Sequence, residues 1–337
     1  MKIGIVGNGM IVTQMLTDVQ QTEAIRPVSL CVRPKSVDTG KRLAAQYGME
    51  LFTDYQDFLK NGEFDTVYIG VINSEHFRYT EAALKAGKHV ICEKPFTVKA
   101  EEANILKESA LKNHLFLWEA CKVPYSPVFR EIQGEIGNVG HISLIQCNFS
   151  KISSRFRRYE KGEVLPAFDP KAAGGCLMDL NVYNIRFVTE LLGRPKEIRY
   201  FANRGFNGID TSGTAVLSYE GCQAVCSAAK DSTSPSFAFL QGTEGCIRVE
   251  GPVSNLLKAE ITDGQGTRLL AEDREGGTLA GEFREFERQL REGDYESCRK
   301  ALENSIAVME VLEACRRYAG IQFSGDQEIS LAGRKRF

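Results

Sequence analysis

Short apolar runs alternate with segments of helical periodicity over the first 120 residues. The apolar runs at 2–6, 28–32, 66–71, 89–92 and 115–120 are typical of buried strands. Helices are predicted between them, and one over 37–47 ends at Gly48, because glycine is the preferred residue just past a helix C-terminus. Asp54 is placed to cap a short helix that reaches Lys60. This alternation predicts an α/β fold with a parallel sheet covered by helices on both faces.

After Pro124 the pattern changes to strands joined by short, turn-rich segments. Asn207-Gly208, Glu220-Gly221 and Glu244-Gly245 are the turn signals, and they favour an antiparallel or mixed sheet. We place the domain boundary near 121–126, with domains over 1–122 and 123–337. The strands predicted in the second domain are 141–149, 197–203, 214–219, 223–229 and 237–241, and the helices are 127–134, 177–192, 281–292 and 299–318.

Composition excludes several classes of protein. A chain of 337 residues corresponds to about two domains, and 42 Lys and Arg against 44 Asp and Glu give a net charge of −2, which offers no argument for nucleic acid or an anionic membrane. No apolar run is long enough to span a bilayer, and the N-terminus does not read as a signal peptide. The ten cysteines are scattered, as expected of buried thiols in a reducing cytoplasm, and together with the dispersed histidines they predict no metal site.

The first candidate site is a glycine-rich turn between the first strand and the first helix. Gly7-Asn8-Gly9-Met10-Ile11-Val12 stands where a dinucleotide-binding loop is expected, with Gly7 for the tight turn and Gly9 for the approach of a pyrophosphate to the helix N-terminus. The third position of the motif is Val12 instead of Gly or Ala, and this departure is expected to push the helix slightly off the strand. The alternative is a glycine turn that binds no ligand.

The end of the second strand distinguishes two forms of the cofactor. An acidic residue there binds the ribose 2′-hydroxyl of NAD, whereas an arginine accommodates the 2′-phosphate of NADP. This chain has Arg33, followed by Pro34 and Lys35, and no carboxylate at that place. We therefore predict NADP, with NAD as the alternative. The alternative interpretation of Arg33 is a solvated surface arginine that binds no cofactor.

The second motif is Glu93-Lys94-Pro95, at the end of a predicted strand. A lysine at the carboxyl end of a parallel strand faces the ligand crevice of an open α/β sheet, and the proline fixes its direction. Together with the first loop, this motif resembles the signature of the Gfo/Idh/MocA family of NAD(P)-dependent oxidoreductases. The stretch from Val71 through Asn73 to His76 and the sequence Trp118-Glu119-Ala120 resemble further family motifs, as does Gly242-Thr243-Glu244-Gly245.

The resemblance implies a Rossmann domain followed by an α+β domain with a large open, mainly antiparallel sheet. In layout the chain is most similar to the branch of dimeric dihydrodiol dehydrogenases and NADP-linked xylose dehydrogenases, which also carry arginine at the position of Arg33. The family often has the proline of its Glu-Lys-Pro motif in the cis form, so a cis Lys94–Pro95 bond is expected. The cofactor contacts that we predict, from the loop and from the resemblance together, are Gly7, Asn8, Gly9, Met10, Ile11, Arg33, Val71, Asn73, His76, Glu93 and Lys94.

The third motif places an acid and a tyrosine on one helix face. Asp179 and Tyr183 are four residues apart, and with Gly174-Gly175 before them they resemble the family's catalytic helix. The predicted catalytic residues are Lys94, Asp179 and Tyr183. Tyr183 is expected to exchange the hydroxyl proton of the substrate, with a pKa lowered by Lys94, while Asp179 fixes the geometry. Asn181 replaces a family glycine, which puts the local packing and the shape of the substrate pocket in question.

The resemblance implies a dehydrogenase or reductase that acts on a sugar, polyol, cyclic diol or related carbonyl. It also implies a homodimer or homotetramer, with the open sheet of the second domain as the interface. Two other functions stay open: a dinucleotide-binding regulator or sensor on the same fold, and a sugar-binding partner protein. The loop with Arg155, Arg157 and Arg158 reads as solvated, although it could also cover the cleft or bind a phosphate.

Overall fold

The computed structural model describes residues 1–20, 22–274, 276–324 and 326. Its first sheet is fully parallel, with the strand order β3-β2-β1-β4-β5-β6. The order reverses between β1 and β4, and ligands of open α/β sheets bind at the carboxyl ends of the strands where such a reversal occurs. The strands are β1 (Lys2–Val6), β2 (Arg26–Cys31), β3 (Glu50–Phe52), β4 (Thr66–Ile69), β5 (His89–Glu93) and β6 (Leu117–Ala120).

Helices connect these parallel strands, as the alternating pattern predicted. Helix α2 ends at Gly48, which adopts a left-handed φ of 66°, and Asp54 caps α3 by accepting a hydrogen bond from the backbone N–H of Asp57 at 2.8 Å. Both local predictions are confirmed. The helices are α1 (Met10–Val19), α2 (Val37–Tyr47), α3 (Tyr55–Asn61), α4 (His76–Lys85) and α5 (Ala100–Lys112).

The second sheet is large and mainly antiparallel, which confirms the predicted fold class. Its order is β14-β13-β12-β11-β7-β10-β9-β8. Among the described strands of this sheet, only the pairing of β7 with β10 is parallel. The pattern did not predict β12 to β14, since β13 and β14 carry many polar residues and β14 lies at an exposed edge. The strands are β7 (Ile142–Ser150), β8 (Glu197–Arg204), β9 (Asp210–Tyr219), β10 (Cys222–Ala229), β11 (Phe237–Gly242), β12 (Cys246–Glu250), β13 (Lys258–Asp263) and β14 (Gly266–Glu272).

Among the described residues, five helices accompany this sheet, and the last two connect it to the first domain. They are α6 (Pro127–Glu135), α7 (Phe156–Glu160), α8 (Val182–Leu192), α9 (Ala280–Glu292) and α10 (Tyr295–Ala319). Helix α9 packs on the first sheet, where the ring of Phe283 lies 5.7 Å from that of Tyr68 and the ring of Phe286 lies 5.2 Å from that of Trp118. The C-terminal part of the chain therefore completes the core of the N-terminal domain.

The helix predicted over 177–192 begins with a wider turn. Residues Leu177–Asn181 form a π-helical turn, and α8 follows directly. Such turns are rare and often occur at functional sites. No helix in the described ranges is both long and apolar enough to cross a membrane.

Candidate active site

The glycine loop leaves room for a phosphate group beside α1. Gly7 has a φ of +109°, and a Cβ there would lie 2.2 Å from the carbonyl oxygen of Gly70, so a side chain would clash with backbone. At Gly9, the N-cap of α1, a Cβ would have no atom within 4 Å, and no side chain caps the helix. The backbone N–H groups at this helix start therefore face open space, as an anion-binding turn requires.

The valine in the third motif position is accommodated by a glycine opposite it. Val12 is fully buried, and a Cβ on Gly70 would lie only 2.6 Å from its Cγ2 atom. Gly70, which directly follows β4, thus gives Val12 its space. A small residue after the strand makes room for the larger residue on the helix.

The remaining residues predicted around the cofactor lie along one edge of the first sheet. Asn8, Ile11 and Val71 are half-buried, and Met10 is 74 % exposed beside the glycine loop. Arg33 is exposed directly after β2. Since the backbone N–H of Gly7 donates to the carbonyl of Cys31 in that strand, Arg33 lies close to the loop.

Two of these predicted residues contact protein groups. Asn73 donates from Nδ2 to the carbonyl of Ala173 at 2.8 Å and so links the two domains. The imidazole of His76 is fully buried, with Nδ1 2.9 Å from the carbonyl of Pro95 and Nε2 3.2 Å from that of Val71. Burial lowers the pKa of His76 and favours the neutral ring. His76 therefore lies between the loops at Val71 and Pro95 and not in the cleft, and its neutral ring, which has one N–H, donates to one of these two carbonyls.

Strand β5 delivers Lys94 to the cleft. Glu93 is buried, accepts a hydrogen bond from the hydroxyl of Tyr68 at 2.7 Å, and accepts another from the backbone N–H of Lys94 at 3.2 Å. Burial raises the pKa of Glu93 to about 7. The Lys94–Pro95 bond is cis, as expected. Glu93 thus supports the turn from inside, while Lys94 extends toward the second domain.

Lys94 meets Asp179, and a second lysine completes the group. The Nζ atom of Lys94 lies 2.9 Å from the carbonyl oxygen of Asp179 and 3.2 Å from its Oδ1 atom. The Nζ atom of Lys230 lies 2.8 Å from Oδ2 of the same carboxylate. Burial would raise the pKa of Asp179, but the two ammonium groups together hold it below its usual range. Asp179 is therefore a carboxylate shared by two cations.

Tyr183 lies beside Lys94, and its pKa is shifted in the direction opposite to the one expected. The Nζ atom of Lys94 lies 4.7 Å from the centroid of the Tyr183 ring, in a cation–π contact. Burial raises the pKa of Tyr183 above its usual value, and the attraction of Lys94 offsets only part of this rise. The expectation that Lys94 makes the pKa of Tyr183 low is thus wrong for this structure, and Tyr183 holds its proton at neutral pH.

Lys94 itself stays protonated. Burial would lower its pKa, but the neighbouring Tyr183, Asp179 and Glu93 raise the pKa above its usual value. An ammonium group has three N–H donors, and two of those of Lys94 point at Asp179. One donor is left for a ligand oxygen in the cleft.

Sequence reasoning missed Lys230. This side chain is 2 % exposed, donates to the carbonyl of Ala167 at 2.8 Å, and places Nζ 4.6 Å from the centroid of the Phe168 ring. The available signal was a lysine directly after the buried strand β10, which is the same pattern that identified Lys94 after β5.

Asn181 and the arginine loop are also placed by the structure. The amide of Asn181 is fully buried, donates to the carbonyl of Cys226 at 2.9 Å, and accepts from Asn184. It therefore fastens the π-helical turn to β10 and does not line the cleft. In the arginine loop, Arg158 pairs with Glu163 in solvent, and Phe156 packs against Phe168, the ring beneath Lys230.

A separate cavity of about 600 Å³ lies between α6, α9 and the end of β14, and no predicted site residue lines it. Glu282 is one of its lining residues, is buried, and has no hydrogen-bond partner for either carboxylate oxygen among the residues that the structure describes. Burial raises the pKa of Glu282 well above its usual range. This carboxylate is a candidate source of strain in the fold.

Comparison with known proteins identifies two matching regions. Residues 1–120 match the family described as "Oxidoreductase family, NAD-binding Rossmann fold", and residues 133–248 match the "GFO/IDH/MocA C-terminal domain". Among curated proteins, the chain is 30 % identical over 329 residues to scyllo-inositol 2-dehydrogenase (NADP(+)) IolU of Bacillus subtilis, covering 97 % of this chain and 99 % of that protein. It is 28 % identical over 315 residues to D-xylose 1-dehydrogenase (NADP(+)) of Hypocrea jecorina, covering 84 % and 80 %.

Solved structures show the same fold. KijD10, a 3-ketoreductase from Actinomadura kijaniata in complex with NADP and TDP-benzene, superposes with a TM-score of 0.81 at 21 % sequence identity. The superposition covers 94 % of this chain and 97 % of that one. At this level of identity the likeness concerns the fold alone.

Proposed function

The chain belongs to the Gfo/Idh/MocA family of oxidoreductases, and from that premise we propose that it transfers a hydride between NADP and a sugar, polyol, cyclic diol or related carbonyl compound. The observation that carries this proposal is the contact of Lys94 with Asp179. It brings together a cation from the carboxyl end of β5 and an acid from the second domain, beside the reversal of strand order at which ligands bind. A protein that only binds a dinucleotide has no need of this contact.

The residues present fit a nicotinamide dinucleotide. The space at Gly9 and the uncapped start of α1 suit a pyrophosphate, and Arg33 suits a 2′-phosphate. We assign Asn8, Met10, Ile11, Val71 and Asn73 to the same cofactor, with His76 and Glu93 supporting its loops from inside the protein. When bound, the cofactor supplies the hydride or accepts it.

Lys94 holds the reacting oxygen of the substrate. Its remaining N–H donates to that oxygen, and its positive charge stabilises negative charge that develops there. Asp179 orients the ammonium through the other two donors. Because the pKa of Lys94 is raised, the group acts as a fixed donor and does not take up the proton.

Tyr183 moves the proton. With its pKa raised, the hydroxyl is protonated at neutral pH and donates to the oxygen when a carbonyl is reduced. In the direction of alcohol oxidation the same oxygen has to accept the proton, which the raised pKa disfavours.

The rest of the assignment concerns organisation. We assign cofactor binding to residues 1–122 and substrate binding to residues 123–337, in a cytoplasmic homodimer or homotetramer. The face of the second sheet opposite its buried core carries half-buried Val216 on β9, Val225 on β10 and Phe239 on β11, and we assign the interface between subunits to it. Sedimentation velocity tests this, with Val225→Glu expected to yield monomers.

A spectrophotometric screen tests the function. NADPH or NADP with a panel of sugars, inositols, cyclic diols and the matching ketones is expected to change the absorbance at 340 nm for at least one substrate. Binding of NADPH without turnover of any compound would favour the regulator or sensor on the same fold. Absence of binding to either nicotinamide cofactor would refute the assignment of the loop as well.

A further inference from the structure

Lys230 forms a second, buried contact with the carboxylate at the centre of the site. Lys230 directly follows the C-terminal end of β10 in the second sheet, whereas Lys94 directly follows the C-terminal end of β5 in the first sheet. Both ammonium groups contact the side chain of Asp179, on Oδ1 and Oδ2 respectively. The carboxylate is thus fixed from both of its oxygens by groups that belong to different domains.

The surroundings of Lys230 hold its ammonium group in one place. Its backbone N–H donates to the carbonyl of Thr211 and its carbonyl accepts from the backbone of Ser153, so both neighbouring segments fix the main chain. At the other end, Nζ is held by the carbonyl of Ala167 and the face of Phe168. A lysine that is 2 % exposed has lost its hydration, and it is retained in a protein only where its charge is paired.

We propose that Lys230 is a positioning residue of the active site, which fixes the Asp179 carboxylate so that this carboxylate aims the Lys94 ammonium at the substrate oxygen. Lys230 acts through Asp179 and does not contact the substrate itself. The proposal rests on the function assigned to Lys94 above. It extends that function to a residue that directly follows a strand of the second sheet.

Other charged groups lie near these side chains, and they define the electrostatic setting. Asp179 faces Lys94 from β5, Lys230 from β10 and Tyr183 from its own helix. Around Lys230 lie Asp210, Asp231 and the thiol of Cys176. The Oδ2 atom of Asp210 accepts hydrogen bonds from the backbone N–H of Leu177 and from the hydroxyl of Tyr200. Lys230 forms an ion pair with Asp179.

The variant Lys230→Met removes the ammonium group and keeps an unbranched side chain that is one atom shorter. Without this cation, burial of Asp179 is opposed by Lys94 alone, so the pKa of Asp179 rises. We expect kcat to fall about tenfold or more with KM for NADPH unchanged, and the acid limb of the kcat/KM profile to move upward into the range above pH 4. Lys230→Arg, which retains the positive charge, is expected to restore the position of the acid limb.

Lys151→Met is the matched control. Lys151 is exposed and directly follows β7, the strand that pairs with β10. Its backbone N–H donates to the carbonyl of Ala229, the residue that precedes Lys230. The same substitution at this place is expected to leave kcat and the pH profile at wild-type values. If Lys230→Met does not fold, Lys230→Gln serves instead, because it removes the charge and keeps a donor for Ala167.

A second readout does not require turnover. NMR of protein labelled with carbon-13 at the side-chain carboxyl of aspartate follows the titration of Asp179. The signal of Asp179 is identified by its absence from the spectrum of Asp179→Asn. In the wild type we expect no titration of Asp179 above pH 4, and in Lys230→Met we expect the midpoint to move upward into the range above pH 4. Absence of any Asp179 titration above pH 4 in Lys230→Met, together with an unchanged pH profile, would overturn the role of Lys230, even if stability fell. A raised midpoint in a protein without any turnover would instead refute the proposed function and leave the contact of Lys230 with Asp179 standing.

Discussion

Asp179→Asn removes the negative charge that Lys94 and Lys230 share and keeps the size of the side chain. At an effective dielectric constant of about 20, attraction over the distances of 3.2 and 2.8 Å amounts to about 5–6 kcal/mol for each pair, before the cost of desolvation. Removal of one partner from a buried ion pair typically costs about 3–5 kcal/mol, because the other charge stays buried. The side chain of Asp179 is 41 % exposed, so water screens part of this, and we expect a loss of about 2–3 kcal/mol in the free energy of unfolding.

Urea unfolding followed by circular dichroism measures this loss. The control is Asp38→Asn, at an exposed position in the first turn of α2, where the same substitution is expected to change the free energy of unfolding by about 0.5 kcal/mol or less. If Asp179→Asn were no more destabilising than this control, Lys230 would not depend on Asp179 for its charge balance. The reasoning about both lysines would then be refuted.

The dependence of this loss on pH has a definite sign. Lys94 and Lys230 hold the pKa of Asp179 in the folded protein below the value of 3.8 for a free aspartate. A carboxyl group with a depressed folded pKa stabilises the fold above its unfolded pKa, and the stabilisation is lost as the pH falls further. The difference between wild type and Asp179→Asn should therefore stay constant between pH 6 and 8 and shrink below about pH 4.

Three other substitutions test separate parts of the account. Gly7→Ala places a Cβ 2.2 Å from the carbonyl oxygen of Gly70, at a residue with a φ of +109°. It should therefore lower the free energy of unfolding by about 2–4 kcal/mol and abolish the fluorescence change on NADPH binding. Gly9→Ala, which has open space at its Cβ, should fold normally. Arg33→Ala should weaken NADPH binding about tenfold or more and leave NADH binding unchanged, and equal losses for the two cofactors would contradict the assignment. Glu282→Gln should raise the melting temperature. Because the pKa of Glu282 is raised in the folded protein, this group destabilises the fold as the pH rises above about 4.5, and the gain in melting temperature should be larger at pH 8 than at pH 5. A gain independent of pH would contradict this explanation.

Local sequence signals predicted most of the first domain. Helix α2 has the predicted bounds because Gly48 supplies a left-handed residue at its end, and α3 begins where Asp54 caps it. Such signals act within a few residues and do not depend on the rest of the chain. Strands β13 and β14 were missed because polar residues occupy much of both strands and obscure the alternation of apolar and polar positions that predicts a strand.

The candidate site was only partly readable from the sequence. Lys94, Asp179 and Tyr183 were predicted from motifs, but their protonation depends on burial, which the sequence did not reveal. Lys230 escaped notice because its partner lies 51 residues away along the chain, and only the fold brings them together. The same holds for Gly70, whose missing side chain makes room for Val12 on a separate element.

Transfer of deuterium from NADPH deuterated at C4 of the nicotinamide tests the central claim most directly. The account predicts that the wild-type protein converts a ketone from the panel into an alcohol with deuterium bound to the former carbonyl carbon, detected by mass spectrometry. At saturating NADPH, Lys94→Met should form this product at least about 100-fold more slowly. An alcohol without carbon-bound deuterium from either stereospecifically labelled cofactor, or a Lys94→Met variant as fast as the wild type, would contradict the account.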